Sequence, residues 1–259
     1  MKAIELAELG SNVALVTINR PQRRNACNTE VWQQLEAVFN ILASDKRLRG
    51  IVLEGAGGHF TAGDDIIEYA LLRDDEAAAK DYAQQILRTY IAIRSCSVPV
   101  IAAISGYCIG AGCGLAMCCD FRIAHRGAKI GIPAAKLALM YPTEQCQRLA
   151  SLIGIQNTRR WLYSGEIFFA DRAKEMGFID DLVTENPRMA ALTYIHSMLG
   201  SGPLAIAGTK LQLNALAVGI APQDLDSINS AMTMVENSKD AREAASAFRE
   251  KRPPNFLGY

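Results

Sequence analysis

Up to about residue 185, the apolar positions switch repeatedly between a period near two and a period near 3.6. β-Branched runs at Ala3–Ala7, Val13–Ile18, Gly50–Glu54, Val98–Ile104 and Phe121–Ala124 predict strands, the first two joined by a Gly10-Ser11-Asn12 turn. Helical spacing fills the gaps. Asn28 predicts the cap of a helix running to about Ser44, with Trp32, Leu35, Val38, Phe39 and Leu42 on one face. Glu76–Arg94 reads as a long amphipathic helix, and a small-residue helix opens near Gly110. Glu144–Ile153 and Asp171–Met176 read as helices closed by Gly154 and Gly177. Beyond Pro187 no strand pattern occurs, and Leu204–Val218, Pro222–Asn237 and Asp240–Arg252 predict helices. Alternating strands and helices imply parallel β/α units, with helices covering the sheet. The last helices are apolar enough to need a surface, either their own domain or a neighbouring subunit. The expected division is an α/β core over residues 1–190 and a helical region over 191–259.

Composition narrows the function classes. The chain has 259 residues, half of them hydrophobic, with 27 basic against 27 acidic side chains. A neutral balance argues against nucleic acid as a general partner, because phosphate attraction needs a basic face. Seven cysteines form no C-x-x-C, and His59, His125 and His196 are isolated, so neither a disulfide framework nor a metal site is expected. Scattered thiols in apolar surroundings fit a reducing compartment, and the early acids Glu5 and Glu8 do not fit a secretory signal, so the expected location is cytoplasmic. Ser95–Cys119 is uncharged and long enough to span a bilayer, but Pro99 and Gly106, Gly110, Gly112 and Gly114 break it into strand, turn and helix. No membrane partner is expected.

Several catalytic signatures are missing. There is no phosphate-binding P-loop and no G-x-S-x-G nucleophile elbow, and Gly110-Ala-Gly-Cys-Gly114 lacks the last glycine of a dinucleotide fingerprint. Two other loops stand out. Phe60-Thr-Ala-Gly-Asp-Asp-Ile66 and Ser105-Gly-Tyr-Cys-Ile-Gly-Ala-Gly-Cys-Gly114 each put small residues where a helix begins. A helix start has unpaired N–H groups and partial positive charge, and small residues let a ligand approach them. Two such starts facing one point would hold a developing oxyanion. Tight packing of glycines between helix and sheet accounts for the same pattern.

These two loops, with Asn19-Arg-Pro-Gln-Arg-Arg-Asn-Ala26 before them and Phe248-Arg-Glu-Lys-Arg-Pro-Pro-Asn-Phe256 at the end, resemble the crotonase (enoyl-CoA hydratase/isomerase) superfamily, in its order and over nearly the whole chain. The resemblance implies a spiral of β-β-α units with a C-terminal helical trimerisation region, assembled as a homotrimer or a hexamer. It implies a coenzyme A thioester as substrate, with no permanently bound cofactor. The thioester oxygen would be held by the backbone N–H groups of Asp64 and Ala111. Arg24, Ala26, Ala62, Asp65, Ile66 and Gly110 match positions that bind the CoA thioester, and Lys251 matches one that reaches the CoA phosphates, its own or a neighbouring subunit's. Arg24 and Lys251 equally fit solvated surface charges.

The chain departs from the hydratase pattern at two places. Where the resemblance expects two glutamates, it has Gly114 and Ala134. A positioned acid or base is worth about 10²–10⁴-fold, so ordinary hydration is disfavoured. Chemistry that needs mainly enolate stabilisation is favoured, such as decarboxylation of a malonyl-type thioester. Pro142 stands where isomerases of the superfamily often place an acid. The candidate catalytic side chains are Tyr141, which also fits a packed pocket aromatic, and Glu144, which also fits a first-turn acid stabilising its helix. The Asp64 carboxyl has three readings: turned away, capping the next helix, or acting as a base with a raised pKa. Asp65 is expected to cap that helix. The leading expectation is an acyl-CoA lyase or isomerase. The alternatives are a non-catalytic acyl-CoA-binding protein and a hydratase with a substituted base.

Overall fold

Val13–Ile18 is buried at every position, as a strand covered on both faces must be, and it lies next to the edge strand of the larger of two sheets. The computed structural model describes residues 2–259. The strands are β1 (Ile4–Glu8), β2 (Val13–Ile18), β3 (Gly50–Gly55), β4 (Val100–Ile104), β5 (Tyr107–Ile109), β6 (Phe121–His125), β7 (Lys129–Gly131), β8 (Ile167–Phe169) and β9 (Asp181–Val183). The helices are α1 (Thr29–Ser44), α2 (Ile66–Leu72), α3 (Glu76–Arg94), α4 (Ala111–Cys118), α5 (Thr143–Ser164), α6 (Ala170–Met176), α7 (Pro187–Met198), α8 (Pro203–Val218), α9 (Pro222–Asn237) and α10 (Lys239–Glu250). The large sheet runs β1-β2-β3-β4-β6-β9, parallel except for the opening β1–β2 hairpin. The small sheet runs β5-β7-β8.

The long elements follow their local chemistry. Asn28 accepts a hydrogen bond from Val31 N at 3.1 Å and starts α1, whose Trp32, Leu35, Phe39 and Leu42 are buried. Asp75 does the same for α3, accepting from Ala77 N and Ala78 N. α1 packs along α3, and α3 packs along α4, which is buried at every residue. The uncharged 95–119 stretch therefore holds two strands, one in each sheet, and a core helix, and no helix among the described residues is long and apolar enough to cross a membrane.

Three expectations shift. The strand expected from Val98 starts at Val100, because Pro99 has no N–H and the Val98 carbonyl accepts from Lys210 Nζ at 2.9 Å. Gly154, at φ 75°, interrupts α5 as expected, but the helix resumes and runs to Ser164. The division at residue 190 falls inside α7, whose Ala191 and Ile195 pack on Val13, Val52, Ile101 and Ile123 of the sheet. α7 thus packs against the large sheet. Lys210 fastens α8 to the core through a buried ion pair with Asp120 at 2.7 Å.

Candidate active site

The loop after β3 is held on both sides as if it were a strand. Thr61 N donates to Tyr107 O at 2.8 Å, and Ile109 N to Thr61 O at 3.1 Å. On its other side, Cys27 N donates to Gly63 O at 2.7 Å, and Asp65 N to Cys27 O at 2.8 Å. In a trans peptide the C=O and N–H point in opposite directions. With the Gly63 carbonyl fixed on Cys27, the N–H of Asp64 points away from Cys27. It has no acceptor among the described residues. The second loop ends at Gly110, with φ 55° and ψ −115°, a conformation that L side chains avoid. The Gly110 carbonyl accepts from Tyr141 Oη at 3.1 Å and from Gly114 N at 3.3 Å. The Ala111 N–H therefore points the opposite way, out of the start of α4, also with no acceptor among the described residues.

The two peptides are neighbours. A Cβ built on Gly63 would lie 2.5 Å from Ile109 O and 3.3 Å from Ala111 N. Glycine at 63 is thus required by the close approach of the two loops. The N-terminal end of α4 adds partial positive charge at the same point.

The Asp64 side chain is engaged by Tyr82 and Trp32. Its Oδ1 accepts from Tyr82 Oη at 3.0 Å and from Trp32 Nε1 at 3.2 Å. Burial raises its pKa to about 6, against the lowering effect of those two hydrogen bonds. It does not cap α2. Asp65 occupies the cap position, but its carboxylate pairs with Arg20 at 3.2 Å and caps nothing, a correction to the expected role. Cys27 lies beneath the loop with its thiol pushed up by burial to about 12, so no thiolate nucleophile is present there.

Residue 114 lies on the first turns of α4, facing two phenols. A Cβ on Gly114 would lie 2.2 Å from Tyr90 Oη and 3.2 Å from Tyr141 Oη. Tyr90 Oη donates to Ala111 O at 3.3 Å. Burial, before any neighbouring group, pushes both phenols well above their ordinary range, so both keep their protons. Glu144 is engaged elsewhere: its Oε1 lies 2.5 Å from Arg94 Nη1 and 3.2 Å from Arg148 Nε. Ala134 opens a single 3₁₀ turn and packs on the core.

The expected CoA-contact residues separate into two groups. Arg24, Ala26, Ala62, Asp65 and Ile66 share one rim, linked by Ala62 N donating to Arg24 O at 3.0 Å and by Arg20, which donates to Ala26 O and pairs with Asp65. Arg24 is exposed, at φ 51°, with its guanidinium 5.1 Å from the centre of the Tyr107 ring. Lys251 stands exposed at the end of α10, and no hydrogen bond or ion pair among the described residues links it to that rim. Trp32, Tyr82 and Tyr90 were not expected at the site. The only sequence signal for the two tyrosines is their eight-residue spacing on one face of α3. A cavity of about 500 Å³ lies elsewhere, between α8 and the far end of α4, and neither Asp64 nor Ala111 lines it.

With this geometry in hand, similarity to known proteins is informative. The enoyl-CoA hydratase/isomerase family model matches residues 8–258. A 2,3-dehydroadipyl-CoA hydratase of Escherichia coli is 32% identical over 252 residues, covering 95% of each chain. A mitochondrial Δ(3,5)-Δ(2,4)-dienoyl-CoA isomerase of Mus musculus is 29% identical over 270 residues, covering all of this chain and 83% of its own. The crystal structure of an enoyl-CoA hydratase from Bacillus anthracis superposes with a TM-score of 0.90 at 28% identity, covering 99% of this chain and all of its own.

Proposed function

Since the chain belongs to the enoyl-CoA hydratase/isomerase family, we propose that it acts on a CoA thioester by holding the thioester oxygen, and the enolate that develops on it, between the N–H groups of Asp64 and Ala111. One observation carries this reading. Two adjacent amides have no acceptor of their own, and each has its carbonyl fixed from behind, by Cys27 N at 2.7 Å and by Tyr141 Oη at 3.1 Å. Donors fixed in advance need no reorganisation as charge builds up. One such donor is worth about 10²–10³-fold in rate.

The reaction we favour is decarboxylation of a malonyl-type thioester. The bond between the α-carbon and the carboxylate breaks, and its electrons pass onto the thioester oxygen as an enolate. CO₂ leaves, and the α-carbon takes a proton from solvent. No basic side chain is needed to form the enolate. The absence of a carboxylate at Gly114 and Ala134 supports this choice, as does the Tyr90 hydroxyl that fills the space beside Gly114. Glu144, paired with two arginines, supports the site rather than reacting. The same absence fits a non-catalytic acyl-CoA binder. Arg24 is assigned to the CoA end of the rim, and Lys251 to the phosphates of a CoA on a neighbouring subunit. Exposed Leu213, Leu216, Met232, Met234 and Phe248 along the tail support assembly as a trimer or hexamer.

Incubation of enoyl-, malonyl- and methylmalonyl-CoA with the protein in deuterated water, followed by mass spectrometry, tests the reading. Loss of CO₂ with one deuterium at the α-carbon is the expected result. Gain of water without CO₂ loss assigns a hydratase with a substituted base. Binding with neither label nor mass change across the panel assigns the binder.

A further inference from the structure

The two donor peptides are held from behind in different ways. The Gly63–Asp64 peptide is tied by Cys27 N, which no substitution of a side chain removes. The Gly110–Ala111 peptide has a longer backbone bond, from Gly114 N to Gly110 O at 3.3 Å, and adds a side chain: Tyr141 Oη donates into the same carbonyl at 3.1 Å. That carbonyl and the Ala111 N–H belong to one planar unit. A hydrogen bond accepted at its oxygen polarises the unit and strengthens its N–H as a donor, by about 10–30% per bond in condensed-phase terms. The bond also helps the longer Gly114 N–H bond to fix the direction of the N–H, because Gly110 at φ 55° and ψ −115° has no local preference to hold that orientation. One residue further on, Tyr90 Oη donates into Ala111 O at 3.3 Å. Two successive carbonyls at the start of α4 therefore each receive a phenol. Tyr90 can approach only because residue 114 has no side chain, and Tyr141 would be crowded by one.

We infer that Tyr141 and Tyr90 are positioning residues for the oxyanion hole, holding the first turn of α4 so that the Ala111 N–H points at the thioester oxygen. This rests on the reading of the Asp64 and Ala111 amides as that hole. The Tyr141 proton is committed to backbone, so Tyr141 acts through the Ala111 N–H and not on the substrate itself. Its partner Gly114 is part of the same device, admitting the phenols that brace the helix start.

A push–pull chromophore reads this directly. Bound 4-dimethylaminocinnamoyl-CoA absorbs at longer wavelength when its thioester oxygen is polarised, whatever the protein's own reaction. The full-length protein is expected to red-shift the probe. Tyr141→Phe is expected to reduce the shift by a third or more, with probe affinity within about threefold of the parent. Tyr90→Phe removes the second brace and should show a smaller loss in the same direction. It also serves as the test if Tyr141→Phe loses its cooperative melt. A red shift in the parent that persists unchanged in every folded tyrosine variant overturns the positioning role and leaves the oxyanion hole standing. Failure of the parent itself to red-shift the probe overturns the oxyanion-hole reading, and the positioning role with it.

Discussion

The hydroxyl of Tyr90 stands where a side chain on Gly114 would begin, 2.2 Å from the position of a Cβ. The two residues are 24 positions apart and are brought together where α3 packs along α4. Gly114→Ala must therefore displace Tyr90, and with it the hydrogen bond to Ala111 O. Overpacking of this kind costs about 1–3 kcal/mol. The variant is expected to melt earlier and to lose activity. Residues in contact couple, so Gly114→Ala and Tyr90→Phe should be non-additive by about 0.5–3 kcal/mol in a double-mutant cycle of chemical denaturation. Strict additivity would contradict the contact.

Asp64 gives a pH-dependent prediction. Burial raises its carboxyl to about 6 in the folded chain, above its ordinary 3.8. The native state holds that proton where the unfolded chain has lost it. The parent therefore loses stability as pH rises from about 4 to about 6, and the loss persists above the folded value. Asn at this position keeps an acceptor for Tyr82 and Trp32 and has no charge to bury. Asp64→Asn should gain on the parent by about 2–3 kcal/mol between pH 4 and pH 8 in urea titrations. A difference that does not change with pH would show that the carboxyl is not held up by burial.

Glu144 is expected to matter for stability and not for chemistry. Its carboxylate lies between Arg94 and the buried Arg148, whose pKa is lowered by burial and then by Arg94. Glu144→Gln leaves two guanidinium groups facing each other. Removing one partner of a buried pair costs about 3–5 kcal/mol, here reduced to about 1–3 because the Glu144 side chain is 29% exposed. Thermal melts should show the loss, while deuterium incorporation into thioesters stays within a few-fold of the parent. Abolished incorporation in a folded Glu144→Gln protein would give it a catalytic role.

Substitution of Arg24 is predicted to separate recognition of CoA from chemistry. Stacked on Tyr107 at the exposed rim, its guanidinium is available to phosphate. Arg24→Ala should raise KM about tenfold for the CoA thioester and leave kcat and the KM of the matching pantetheine thioester unchanged. Equal effects on both thioesters would remove Arg24 from the phosphate end.

How much of this was legible in the chain depended on range. β2, α1, α3 and the start of α4 follow from periodicity, caps and glycines within a few residues of one another. The two loops at 60–66 and 105–114 were visible for the same reason, since backbone conformation at a glycine is a local property. The strands β5, β7, β8 and β9 were missed because three residues are too few to set a period. At the site, the sequence by itself determined which side chains are absent, at Gly114 and Ala134, and which residues flank the donor amides. Only the tertiary structure decided what the remaining side chains do. Asp64 turns to Trp32 and Tyr82, Glu144 to Arg94 and Arg148, and Tyr90 fills the space beside Gly114. These pairings span from 4 to 50 residues and join elements whose own patterns say only which face is buried. A buried polar group must find a partner, and which partner it finds is set by how the helices that carry it pack.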